Sequence, residues 1–408
     1  SGCINVIDIE LPENLVSIGK EAFSKSSSGF TWQTINYSLV ELHLPSSVVS
    51  LGENFCSCPV FVAENNSTFV SDENGVLYTK DMSELVICRN NKLTEFVCPD
   101  TVTTIHNYAF YKQTSLTDIT LSQTIKTIGS YAFYGCSSIS ALFLPNGLET
   151  IKSYAFNGCT SLKSLSLPEG TKTVEKYAFY NCSALTTLTI PSTVEEIPEY
   201  AFYSCDVLKS VNLTSGIKNI NSYAFGYCES LVNITLPVTL ENLAGDAFYG
   251  CTALTTINVS SNSENFSCDS YGVVYNKNKT VLISYPKGRT NTSFTIPSTV
   301  TEIAAYAFYG ATKLSSITIP STVSVIGEYA FYGCDALKSI TIPASVKRIE
   351  KYTFNSCDYL SSIYFASGSL LEYIGNYAFA NCNFPLGISK IPIQAVTNIP
   401  DSLFSQSF

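Results

Sequence analysis

The residues able to do chemistry are few in this chain, apart from one type. His43 and His106 are the only histidines, which leaves little for histidine-based acid/base or triad catalysis. Cysteine is the exception, with fifteen. Cys56-Ser57-Cys58 is the one close pair in sequence, and a C-x-C alone is a weak metal or redox signal. A second cluster forms only if neighbouring strands lie side by side. Asp8 and Glu10 would fall about 4.8 Å from Glu41 and His43, and three carboxylates with an imidazole could take a divalent cation. The same residues serve equally as a solvated acidic edge, so no metal site is assigned. No phosphate-cradling G-x-x-x-x-G-K-S/T, no H-E-x-x-H, no G-x-S-x-G and no paired zinc spacing occurs. The carboxylates are scattered, and no glycosidase pair can be nominated among them. The expectation is a protein that is not an enzyme, with no catalytic residue and no cofactor.

Composition narrows the partners. Apolar residues make up 45% of the 408 and charged residues only 14%, with a net charge of −10. A surface of Ser, Thr and Asn follows, and phosphate-rich partners are disfavoured: nucleic acid needs clustered Lys and Arg. No run of about 18 apolar residues and no basic-then-apolar leader is present.

What organises the chain is a repeat. Ala-Phe recurs at Ala109-Phe110, Ala132-Phe133, Ala155-Phe156, Ala178-Phe179, Ala201-Phe202, Ala224-Phe225 and Ala247-Phe248, every 23 residues. The lattice resumes at Phe308, Phe331 and Phe354, then steps by 25 to Phe379 and Phe404. Phe23 marks an earlier copy and Phe55 a degenerate one. In each unit an L-x-x-I-x-I piece has the period of two of a short strand with one buried face, ended by Pro. The other half, with apolar residues at changing intervals, predicts turns and short 3₁₀ segments. A unit this short cannot bury its own core; stacked copies can. The length alone would suggest two or three domains, but the repeat predicts a single solenoid over 1–408.

A unit such as "SALTTLTIPSTVEEIPEYAFYSC" resembles the BspA-like (Treponema pallidum-type) leucine-rich-repeat cell-surface proteins, over nearly the whole chain. The resemblance implies a β-rich α/β leucine-rich-repeat right-handed solenoid with a parallel sheet on one face. It also implies a surface or secreted location and adhesion to a host or neighbouring-cell component. The residues themselves reach only the solenoid.

The blocks are 3–60, containing an insertion at 24–37; a hairpin insert at 61–99; regular repeats at 100–256; a second hairpin insert at 257–297; and repeats at 298–408. The two inserts align: Gly75-Val76-Leu77-Tyr78 matches Gly272-Val273-Val274-Tyr275, and each leads through a polar turn to another apolar run, the pattern of a β-hairpin.

Nine cysteines sit three residues after the repeat Phe: Cys136, Cys159, Cys182, Cys205, Cys228, Cys251, Cys334, Cys357 and Cys382. Ala311, Gln113 and Ser26 occupy the same position in other copies, so the column is expected to hold small buried groups, reduced thiols rather than bridges.

The strand residues between the buried ones should face away from the core. They give columns including Ser164, Thr187, Ser210 and Asn233, and beside them Phe143, Ser166, Thr189, Asn212 and Thr235. Such hydroxyls and amides hydrogen-bond without charge preference, and they read either as a broad platform for a protein or glycan or as solvated strand surface. Phe143 and Tyr364 are aromatic members of that field. Phe30 and Trp32, in their own insertion, are further contact candidates, or a cover for the first coils. Two tyrosine columns flank the Ala-Phe pair and suit either packing or sugar stacking.

The primary expectation is a monomeric adhesion or recognition ectodomain that binds an extracellular protein or glycan. The alternatives are a surface spacer with binding carried elsewhere on a longer chain, and an intracellular protein-interaction module. Without distinct polar caps at either end, the chain is expected to be part of something longer.

Overall fold

The computed structural model describes residues 9–24, 39–383 and 402–403. Their contacts group into two compact units, one of Ser1–Val194 with Tyr200–Asp206, the other of Glu195–Glu199 with Val207–Phe408. Each is a β-solenoid of stacked parallel strands, and no helix of any kind occurs among the described residues.

Regular coils contribute two strand segments where the sequence predicted one, except the coil of residues 139–151, which keeps only the second. The first is the L-x-x-I-x-I piece. Ser164–Ser166 runs parallel to Thr187–Ile190, and Asn233–Leu236 to Thr256–Val259. The second is a two-residue segment just before the Tyr-Ala-Phe turn. Thr104–Ile105, Thr127–Ile128, Thr150–Ile151 and Thr173–Val174 pair in parallel, in register. Two residues are too short for an alternation of buried and exposed positions to be read, which is why sequence periodicity passed over this ladder.

The turns also differ from the predicted 3₁₀ segments. Amides reach back three residues, as in Tyr134 N to Tyr131 O and Cys136 N to Phe133 O. The chain nevertheless passes through the left-handed region at the residues two before and two after most of the repeat Phe residues: Tyr131 at φ 58° and Gly135 at φ 69°, Tyr177 at φ 61° and Asn181 at φ 57°. A left-handed residue resets the backbone direction, so no 3₁₀ run can extend. Gly and Asn recur at the second of these sites because they enter that region at least cost, although Lys112, Ser204, Tyr227 and Ser356 also occupy it.

The first site is held by tyrosine, at a cost of about 1–2 kcal/mol in backbone preference. Stacking across coils offsets it. In the first unit Tyr108, Tyr131, Tyr154, Tyr177 and Tyr200 stack at 4.6 to 4.8 Å between ring centroids and within 6° of parallel. Tyr154→Ala is therefore expected to lose two stacking contacts, about 1–3 kcal/mol, and to keep the backbone strain. Tyr154→Gly loses the same contacts but relieves the strain, so its urea midpoint should lie about 1 kcal/mol nearer the wild type.

The core is a set of columns. In one coil of the first unit Leu162, Leu165, Leu167, Ala178, Phe179 and Cys182 are all buried. Phe110, Phe133, Phe156, Phe179 and Phe202 lie stacked at 4.7 to 5.4 Å. Phe amides of the column donate to the carbonyl at the matching place in the following coil, usually an alanine's, for example Phe156 N to Ala178 O at 2.8 Å. The cysteine column supplies the complementary bond. The Sγ–H of Cys136 donates to the Phe110 carbonyl at 3.0 Å, that of Cys159 to Phe133 at 3.3 Å and that of Cys334 to Phe308 at 3.2 Å. The described cysteines are thiols, and none is disulfide-bonded.

Each insert is larger than a hairpin. Phe69–Ser71, Leu77–Thr79 and Glu84–Ile87 form an antiparallel three-stranded meander. Its last strand then pairs in parallel with Thr104–Ile105, so the meander caps the second ladder. Phe266–Cys268, Val274–Asn276 and Val281–Ser284 repeat the arrangement beside Glu302–Ile303. Phe69 and Phe266 are both buried at the start of the added strand. The extra strand escaped prediction because Phe69-Val70 and the lone Phe266 are too short for an alternation to be read.

Candidate functional site

The strand face is built by alternation. Ser164 and Ser166 are exposed on either side of buried Leu165, and Asn233 and Thr235 on either side of buried Ile234. Thr187, Ser210 and Asn212 are exposed as well, and Thr189 is half-buried. The sequence-derived columns therefore point to solvent in both units, and the exposed hydroxyls and amides stand on rigid coils.

The strand expected at Phe143 does not form. Residues 139–145 make no strand, yet Ala141 and Phe143 are exposed and Leu142 is buried, as the alternation demands. Phe143 is 85% exposed, the most exposed large apolar side chain described. Tyr364, on Ser362–Phe365, is 53% exposed. Phe30 and Trp32 lie outside the described residues.

The amino-terminal acidic cluster is only partly described. Asp8 lies outside the described residues, and Glu10 is exposed and in no strand. His43 Nε2 meets Glu41 Oε1 at 2.9 Å, and its ring stacks on Phe61 at 5.5 Å. Among the described residues no group of three or more His, Cys, Asp or Glu side chains could hold a metal ion.

The tyrosine ladders bear on sugar stacking. Parallel rings at 4.6 to 4.8 Å cover one another's faces, so interior rungs offer edges and hydroxyls, not a platform for a pyranose.

Two features were missed. Each insert forms a pocket on its flank. One, of about 330 Å³, is lined by residues including Glu41, Phe61, Glu73, Arg89 and Lys92. The other, of about 270 Å³, is lined by Tyr271, Arg289, Asn291, Ser293, Phe294 and Thr295. In the second, the Arg289 guanidinium lies 4.9 Å from the centre of the Tyr271 ring and donates to Asn291 Oδ1 at 2.7 Å. Ser293 and Thr295 belong to the strand face, so this pocket is continuous with it.

The inserts also bury a cation each. Arg89 donates to Tyr108 O at 2.7 Å, Tyr111 O at 2.8 Å and Asn54 Oδ1 at 2.8 Å. Lys287 Nζ donates to Tyr306 O at 3.1 Å. The inserts lack the Tyr-Ala-Phe turn, and the cation takes up the tyrosine carbonyl of the next coil instead. A Lys or Arg directly after an apolar strand run, at nearly matching places in the two aligned inserts, was the available sequence signal. Burial holds the Lys287 ammonium down at about 8.

These geometries define a leucine-rich-repeat solenoid. Residues 1–62, 85–207, 195–282 and 285–408 match the BspA type leucine rich repeat region (6 copies), and the chain belongs to that family. Among solved structures it is similar to a leucine rich cell surface protein from Faecalibacterium prausnitzii, with 23% identity and a TM-score of 0.57, over 83% of this chain and 98% of that one. A leucine-rich repeat protein from Bacteroides ovatus has 23% identity and a TM-score of 0.48, over 86% of each chain. The pneumococcal vaccine antigen PcpA has 20% identity and a TM-score of 0.47, over 84% of this chain and 69% of that one. No curated protein matches. Among the described residues no helix is long and apolar enough to cross a membrane.

Proposed function

We propose that the chain is the recognition part of a surface or secreted protein, binding an extracellular protein or glycan through its exposed strand face, and that it is not an enzyme. The observation that carries this reading is the strand face itself. Ser, Thr and Asn side chains point outward at fixed spacing on rigid coils, with Phe143 standing almost fully exposed among them. Large aromatics held out of the core are the residue type that anchors interfaces. Membership of the BspA-type family and the name of the Faecalibacterium neighbour support the location. The formal charge of −10 argues against a nucleic-acid partner.

The test is a binding panel of matrix proteins and glycans, followed by variants against whatever binds. Phe143→Ser is expected to weaken binding by about thirty-fold, the equivalent of a 2 kcal/mol anchor, while leaving the unfolding midpoint unchanged. A folded chain that binds nothing on the panel would turn the reading to a spacer, with recognition carried elsewhere on a longer protein.

A further inference from the structure

The Cys56-Ser57-Cys58 pair takes no part in the strand face. Both thiols are buried, Cys56 fully and Cys58 to 4% exposure, and their sulfurs lie 2.8 Å apart. A covalent S–S bond is about 2.05 Å, so closing one needs well under an ångström of movement. The Cys58 amide donates to Cys56 Sγ at 3.3 Å, a bond that favours a thiolate there. The Arg89 charge lies in the same neighbourhood and contributes in the same direction. Cys58 lines the pocket of about 330 Å³ on the flank of the first insert, and Cys56 stands directly behind it. A small solute entering that pocket meets Cys58, and reaching Cys56 behind it requires a local opening of the pocket wall.

We propose that Cys56 and Cys58 form a two-electron redox site that hydrogen peroxide converts to an intrachain disulfide. The thiolate of the pair attacks one peroxide oxygen; the O–O bond breaks and hydroxide leaves, giving a sulfenic acid. The second sulfur attacks that sulfenic sulfur, the S–O bond breaks, and the departing oxygen leaves as water with the remaining thiol proton. The sum is two thiols and one H₂O₂ going to one disulfide and two waters, with the second cysteine acting as the resolving group.

The column cysteines are built for the opposite behaviour. Their Sγ–H groups are committed to phenylalanine carbonyls, and burial pushes Cys136 up to about 12 and Cys159 and Cys182 well above the usual thiol range. The hydrogen bond from Cys58, joined by the nearby Arg89, holds Cys56 below that range in spite of its burial. A thiol's reactivity follows its thiolate fraction and its access, so oxidation should be selective within a chain full of cysteine.

The experiment uses the full folded chain, first reduced and freed of reductant, then exposed to hydrogen peroxide for increasing times. It is alkylated under denaturant and mapped by peptide mass spectrometry. The peptide holding Cys56 and Cys58 should lose two hydrogens and escape alkylation until reduced, at a rate about ten-fold or more above that of Cys159 and Cys182. In Cys58→Ser the reaction should stop at a dimedone-trappable sulfenic acid on Cys56. Equal rates at the pair and the column would overturn the proposal, as would Cys268 or a Cys357–Cys382 bridge oxidising first while Cys56 and Cys58 stay alkylatable. The wild-type map decides this whether or not the serine variant folds, and it is independent of any ligand binding to the strand face.

Discussion

Replacing Phe156 with alanine is expected to lower the unfolding free energy of the unit that holds it by about 3–5 kcal/mol, the range for removing a fully buried Phe. The ring is wholly buried and stacks on Phe133 at 5.1 Å and Phe179 at 5.2 Å. Its coil is tied to the next through Phe156 N to Ala178 O. The cavity cannot readily collapse, because the neighbouring rings are fixed by their own backbone bonds and by stacking on Phe110 and Phe202. In a repeat array stability is carried largely by interfaces between adjacent copies, and this substitution damages two of them. A urea titration followed by circular dichroism measures the effect; a loss below about 1 kcal/mol would mean the ladder contributes little more than an exposed site. Phe156→Leu keeps most of the volume and should cost clearly less.

The second large effect is a pH dependence set by Lys287. Its ammonium is buried, with the Tyr306 carbonyl as its hydrogen-bond acceptor, and titrates at about 8 instead of 10.5, chiefly because burial disfavours the charge. The groups that face it are Asp246, itself pushed up by burial, and the thiols Cys251 and Cys334. For a base whose folded value is depressed, the unfolded chain binds more protons between the two values, so stability rises with pH through that window. Lys287 by itself should contribute a gain of roughly 1–2 kcal/mol between pH 8 and 9.5, opposed in the same window by column thiols such as Cys334 and Cys357, which burial keeps protonated where an unfolded thiol ionises. Above about pH 10 buried tyrosines act in the reverse sense. Burial raises Tyr275 and Tyr306 above their ordinary range, and such groups lose stability as they ionise on unfolding. Lys287→Met should remove that contribution, so that stability falls more steeply between pH 8 and 9.5 than in the wild type, at the expense of leaving the Tyr306 carbonyl without this donor. Chemical denaturation of both proteins at several pH values provides the check; parallel curves would show that Lys287 contributes nothing to the pH dependence.

Much of the solenoid could be read directly from residue spacing. Phe every 23 residues, the alternation around Leu165 and Ile234, and Ala311 in the cysteine column each fix a buried position, because an inward-facing side chain of a stacked coil is covered by the coils on either side. The outward direction of Ser164, Asn233 and Thr235 followed from the same alternation, and at Phe143 it held even without ladder hydrogen bonds. Side-chain direction depends on the pleat of the local chain, not on whether the neighbour pairs. The two-residue strands at Thr127 and Thr150 escaped because periodicity needs length. The left-handed tyrosines escaped because φ is a backbone property that tyrosine does not advertise, and only stacking on the next coil makes it tolerable.

The amino-acid sequence by itself determined the repeat, the buried columns, the polar face and the family, since all of these depend on residue type at a fixed period. Tertiary structure alone decided what depends on distance between different segments. It drew Arg89 beneath the tyrosine carbonyls of the next coil, opened a pocket on the flank of each insert, and paired Glu41 with His43. It also set two sulfurs 2.8 Å apart at Cys56 and Cys58 while holding the column thiols against carbonyls. Identical residue types acquired different chemistry because burial, hydrogen-bond partner and access are properties of place.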